Sequence, residues 1–205
     1  LQRGRPVEIG RWRRGPRRAA RHQIGPRPPT FALGRRATKQ TAAIERAAVR
    51  PLGITTHAVH LVGRHPDGRF WVQQRAHDKA TDPSMWDTLV GGLMAAGETV
   101  MTTLERETWE EAGLRLPELD GLQPIGQLQI RRPVAEGYMV EHMHLFQARV
   151  PDTLQPVNQD GEVAAFAQLD AAALRARLAA GAFTLEAGLI LAQVLEGPAA
   201  EGGTP

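Results

Sequence analysis

The chain has 205 residues, 42% of them hydrophobic and 23% charged, enough for one domain with a real core and an appendage. No run approaches eighteen apolar residues, so no ordinary membrane-spanning helix is encoded, and the absence of cysteine excludes disulfides, thiolate metal sites and cysteine nucleophiles. The net charge of +3 hides a split: residues 1–40 carry twelve Arg or Lys against Glu8, a net of +11, leaving 13 basic and 21 acidic residues, a net of −8, for 41–205.

An acidic domain is a poor partner for nucleic acid, and it suits chemistry on phosphates in which a metal cation supplies the positive charge. Without cysteine the chain fits a reducing compartment, and a cytoplasmic location is the expectation. Residues 1–40 are rich in Arg, Pro and Gly, with Trp12, Ile24 and Phe31 as isolated apolar residues, and are expected to be a disordered basic tail. A nucleic-acid arm, a mitochondrial presequence and a docking tail are the functional readings of that tail. Five prolines and no serine count against the presequence, and the absence of any selected role is the favoured reading.

A domain over 41–197 follows, with 198–205 expected to be a disordered C-terminus. Residues 41–49 read as a short helix and Pro51-Leu52-Gly53 as a turn. The alternation over 54–62 predicts a strand, Pro66-Asp67-Gly68 a hairpin turn, and 70–74 its return. A polar stretch over 75–87 leads to a short strand at 88–90. Residues 99–112 contain no Gly or Pro and read as a helix stopped by Gly113. Strands are expected at 125–132, 138–150 and 163–169, then helices at 170–180 and 185–196. Strands on both sides of an embedded helix, with helices at the end, indicate a mixed α/β sandwich.

The embedded helix concentrates the chemistry. Glu107, Glu110 and Glu111 fall at i, i+3 and i+4, which places three carboxylates on one face. Like charges that close repel, and hard carboxylate oxygens suit Mg²⁺ or Mn²⁺. Taken at fixed spacing, Gly92, Glu98, Arg106, Glu107, Glu110, Glu111, Gly113 and Leu114 match the Nudix box, and the chain resembles a Nudix hydrolase. Thr108 departs from the pattern, since the family usually places an aliphatic residue there.

The resemblance implies a Nudix-type α/β/α sandwich, a curved mixed sheet with a loop-helix-loop catalytic element. It also implies metal-dependent hydrolysis of a phosphoanhydride, with Glu107, Glu110, Glu111 and the Gly91 carbonyl as metal ligands and Arg106 orienting a carboxylate. Glu98 is either a partner of Arg106, the favoured role, or a water-mediated ligand. Gly92 and Gly113 are structural. The general base is Glu107 or Glu162, with Glu141 behind them.

Upstream, Arg75, Lys79, Pro83, Asp87 and Gly91-Gly92 recur at four-residue spacing. With Val59-His60 and Asp160-Gly161-Glu162-Val163, this pattern is similar to the Nudix branch associated with thiamine pyrophosphokinase. That similarity implies a small diphosphate, thiamine diphosphate or a damaged analogue, cleaved to the monophosphate and phosphate. Arg75, Lys79 and Asp87 would then be substrate-binding, although an ordinary surface pair also accounts for Arg75 and Lys79. Trp71, Trp86 and Tyr138 could stack on a ring, but core packing is the better expectation for each. His142 and His144 share one strand face, where a structural role outweighs substrate contact.

Three rivals stand beside this reading. Isopentenyl diphosphate isomerase relies on a cysteine, which this chain lacks. A hydrolase of nucleotide-sugar or coenzyme diphosphates remains open, because the box fixes the bond cleaved and not the group carried. A non-catalytic metabolite sensor is the third, and an intact set of box carboxylates counts against it.

Overall fold

The computed structural model describes residues 30–33 and 42–197. The first strands, β1 (Thr30–Leu33) and β2 (Ala42–Glu45), pair antiparallel with Phe31 opposite Ile44. A 3₁₀ turn follows at Arg46–Ala48. The helix expected over 41–49 is therefore replaced by a strand and a single tight turn. An isolated helix of nine residues is marginal on its own, and Glu45 caps nothing with its side chain, so backbone pairing with β1 prevails. Apart from β1, the expected tail over 1–40 and the C-terminus over 198–205 lie outside the described residues.

The remaining strands form one mixed seven-stranded sheet around β3 (Thr55–Arg64). Along most of its length β3 pairs parallel with β8 (Gly137–Arg149), which forms an antiparallel hairpin with β7 (Asp120–Val134). On its other side β3 meets β4 (Phe70–Arg75) near the hairpin turn and β6 (Val90–Leu93) further back. The sheet is completed by β5 (Trp86–Asp87) and β9 (Val163–Leu169), both paired with β4. The strand β7 is longer than the expected 125–132. Its pairing shifts register between Asp120 and Gln123 and between Pro124 and Gly126, and the proline and glycine there hide the strand from an alternation pattern.

Both faces of the sheet are covered, and β3 shows the division. Ala58 and Val62 join Phe70, Val72, Met143, Leu174, Ile190 and Leu191 under α2 (Ala171–Ala179) and α3 (Leu185–Glu196). Val59 and Leu61 join Trp71, Leu89, Val90, Leu104, Ala112 and Phe146 under α1 (Val100–Ala112). Successive strand residues point to opposite faces, so this single alternation builds an α/β/α sandwich. It also assigns the aromatic residues. Trp71 is core, and Trp86 is half-buried beneath the Arg177 guanidinium, while Tyr138 is exposed.

Candidate active site

Helix α1 is delimited by side chains at one end and by backbone at the other. Thr99 caps the N-terminus: its hydroxyl accepts from Thr102 N at 3.2 Å, and the Thr102 hydroxyl accepts from Thr99 N at 2.8 Å. At the C-terminus Gly113 takes φ +63°, a left-handed conformation in which its N–H bonds back to Trp109 O. The buried stripe of the helix is Thr103, Leu104, Glu107, Thr108, Glu111 and Ala112. Two of those six positions are carboxylates, so the helix gives part of its packing face to chemistry.

Glu111 is 3% exposed and is held on Oε2 by the Gly91 N–H at 2.8 Å and by Gln73 Nε2 at 2.9 Å. Burial, and then the neighbouring Glu107, push its pKa well above the ordinary carboxylate range. Glu107 is also buried, and desolvation raises its pKa to about 7 against the opposing charge of Arg106. Its carboxylate lies on the Cα of Gly92, where any Cβ would overlap it. Glycine at 92 is therefore required by close approach, and it places the box loop against the helix.

Arg106 organises the remaining carboxylates. Its Nε and Nη2 grip Glu98 at 2.7 and 2.9 Å, Nη1 donates to Glu107 at 2.8 Å and Glu110 at 2.9 Å, and Nη2 reaches Leu93 O at 3.2 Å. Glu98 also accepts from Ala95 N and the Thr103 hydroxyl, each at 2.9 Å, so its oxygens are engaged in tying the loop to α1. The Arg106 fork holds the Glu98 pKa down to about 2.

As they stand, Arg106 draws Glu107 and Glu110 to its side, and among the described residues no three His, Asp or Glu side chains converge to hold an ion. The chemistry of the donor set nevertheless fits a divalent cation. Glu107 and Glu111 are buried together, Glu107 raises the proton affinity of Glu111, Glu110 and Glu162 add to that of Glu107, and the Arg106 guanidinium is already shared among three carboxylates. Glu107, Glu110, Glu111 and the Gly91 carbonyl are the hard oxygen ligands within this cluster.

The residues expected to meet substrate are placed differently. Asp87 is buried, with Oδ1 accepting from Thr88 N at 2.8 Å and Oδ2 from the Thr184 hydroxyl at 3.3 Å. Arg75 lies 3.7 Å from Asp87 and donates through Nε and Nη2 to Thr81 O at 3.2 and 2.9 Å, bracing the 76–85 loop. Lys79 is ion-paired with Glu162, which is near enough to Glu107 and Asp160 for their charges to interact. Glu141 lies on the opposite face of the sheet from α1, accepts from the Thr56 hydroxyl at 3.0 Å, and has its pKa raised by burial. Gln73 escaped the sequence reading. A polar residue that follows Phe70-Trp71-Val72 in a buried strand was the available signal.

The sequence model of the NUDIX domain matches residues 54–187. Nudix hydrolase 24 of Arabidopsis thaliana, described as chloroplastic, is 31% identical over 127 residues, 60% of this chain and 35% of its own length. The uncharacterized protein YJR142W of Saccharomyces cerevisiae is 26% identical over 145 residues, 62% of this chain and 42% of its own length. The chain thus spans well under half the length of either relative. The crystal structure of DR0079 from Deinococcus radiodurans shares the fold with a TM-score of 0.63 at 21% identity, covering 80% of this chain and 97% of that one. With the box carboxylates gathered on α1 against Gly92 and the family match running from β3 into α3, the chain belongs to the NUDIX domain family.

Proposed function

We propose that this chain is a divalent-metal-dependent hydrolase that cleaves a phosphoanhydride bond in a small organic diphosphate, with Mg²⁺ or Mn²⁺ as the cation. The observation that carries this reading is the buried pair Glu107 and Glu111, pressed against Gly91-Gly92 and steadied by Arg106. A bound cation supplies neutralisation of the phosphoryl oxygens and alignment of a water molecule. The protein's contribution is positional: Glu98 fixes Arg106, and Arg106 fixes the carboxylates.

Lys79 is ion-paired with Glu162, whose charge is felt at Glu107. A diphosphate that draws the ammonium to itself releases the Glu162 carboxylate to act as base, and Glu107 is the alternative base from within the box. Thiamine diphosphate or a damaged analogue is the finer reading, supported by the four-residue spacing from Arg75 to Gly91. Phosphate and monophosphate release from a panel of diphosphates with Mg²⁺, thiamine diphosphate and its oxidised forms included, tests both levels. Release from other members only removes the thiamine reading. A silent panel removes the hydrolase and favours a metabolite sensor.

A further inference from the structure

The sheet face that carries the box continues beyond it. Gly92 is in register with Val59, Val59 with His144 and His144 with Gln127, so one row of side-chain positions crosses four strands. The next row on the same face is His57, His142 and Gln129, and Met94 N donates to His57 O at 2.8 Å at its near end. Residues in register, or two apart along a strand, share a face. At about 4.8 Å per strand and about 6.6 Å per two residues, His144 lies roughly 10 Å and His57 roughly 8 Å from the glycine beneath the Glu107 carboxylate. Those distances suit the group attached to a diphosphate whose phosphoryl end rests at the box.

The three histidines form one patch. The His57 ring stacks with His144 at 5.6 Å and 24°, and tilts against His142 at 5.3 Å and 31°. His57 Nδ1 faces His144 Nε2 at 3.4 Å, and the Gln129 amide contacts His142 Nε2. All three rings are half-buried, neither sealed beneath α1 nor fully in solvent. On this face Trp71 is core, Phe166 packs on the core beneath α1, and the exposed Tyr138 lies four residues beyond His142 along β8, so the stacking surface in the two rows beside the box falls to imidazole.

We propose that His57, His142 and His144 form the platform that receives the organic group of the diphosphate, and that this group is a planar, nitrogen-bearing heteroaromatic ring. This rests on the hydrolase reading above. Imidazole faces offer stacking, while the Gln127 and Gln129 amides offer donors and acceptors to ring edges. An isoprenoid or other aliphatic chain would strip water from these polar groups without replacing their hydrogen bonds. A second anionic group would need cationic imidazoles, whereas burial and the adjacent His142 lower the pKa of His144.

Adenosine diphosphate, thiamine diphosphate and ring-less methyl diphosphate, each with Mg²⁺, supply the kinetic test. His144→Leu and His57→Leu are expected to lower the kcat/KM preference for the ring-bearing diphosphates over methyl diphosphate by at least about tenfold. An equal loss on all three substrates, or none, overturns the platform. Binding is read independently of turnover by histidine Cε1–H NMR of the unsubstituted chain with adenosine monophosphate, thiamine monophosphate and methyl phosphate. The ring-bearing monophosphates are expected to move the resonances of His57, His142 and His144, and methyl phosphate to leave them in place. Unmoved resonances overturn the platform even where diphosphates are cleaved. Moved resonances without cleavage of any diphosphate retain the platform and reject the hydrolase.

Discussion

Arg106 meets Glu98 edge to edge, Nε to Oε1 at 2.7 Å and Nη2 to Oε2 at 2.9 Å, while its remaining nitrogen reaches Glu107 and Glu110. Only a planar fork makes these contacts at once, because a lysine ammonium is a point donor. Arg106→Lys keeps the charge and loses the geometry. Diphosphate hydrolysis is expected to fall by about 10- to 100-fold, the usual cost of disturbing the residues behind a metal ligand. Kinetics at saturating Mg²⁺ measure it, and full activity in the lysine variant would show that charge alone suffices.

Glu111 is the most buried of the three box carboxylates, and its neighbours anticipate a negative charge. Glu111→Gln keeps the shape, and an amide oxygen can still accept from Gly91 N and Gln73 Nε2. Turnover is expected to fall by at least about 100-fold, with far-UV circular dichroism and thermal midpoint retained. Without the carboxylate's charge the glutamine also escapes the burial penalty that raises the Glu111 pKa, so stability should not drop. Near-normal phosphate release from this variant would remove Glu111 from the metal site.

Thr108 occupies a position with no exposure, and its hydroxyl has no hydrogen-bond partner. It is also the point at which the sequence leaves the family pattern. Thr108→Val preserves the branched shape and removes an unsatisfied buried group, which costs about 1–3 kcal/mol where it occurs. A gain of about 1 kcal/mol in urea unfolding is expected, with hydrolysis unchanged because the Thr108 hydroxyl bonds to none of the carboxylates and its removal leaves the Arg106 contacts in place. An unchanged or lower midpoint would mean that the hydroxyl is satisfied in solution.

Sequence made the box legible because its logic is local. Helical spacing alone puts Glu107, Glu110 and Glu111 on one side, and the five residues between Gly92 and Glu98 set the length of the loop that Arg106 ties back to the helix. The helix ends and most strands were legible for the same reason, through caps, alternation and turn residues. What stayed hidden depends on pairing between distant segments. Gln73 meets Glu111 only through the β4 position beneath α1, and Lys79 finds Glu162 only because β9 runs beside β4. The histidine patch needs the parallel register of β3 on β8, which no single strand encodes. At residues 42–45 a partner strand decided against the helix that local propensity favoured.

Glu107 and Glu98 shift the pH dependence of stability in opposite directions. Glu107 has an ordinary value of 4.5 in the unfolded chain and about 7 when folded, so between these values the folded state holds a proton that the unfolded state has released. Stability from this group is present below about pH 4.5 and declines as pH rises toward 7, by an amount on the order of 1–3 kcal/mol. Glu98 is shifted the other way, from 4.5 down to about 2, and its contribution is present above pH 4.5 and lost as acid approaches 2. Chemical unfolding in EDTA is therefore expected to show stability falling from pH 5 to 7 in the unsubstituted chain, and a flatter profile in Glu107→Gln. Added Mg²⁺ should lift the neutral end of the profile, since a cation bound only by the folded state favours it. A profile that is the same with and without Glu107 would show that its carboxyl is no more buried in solution than in the unfolded chain, and the site's claim on a cation would weaken with it.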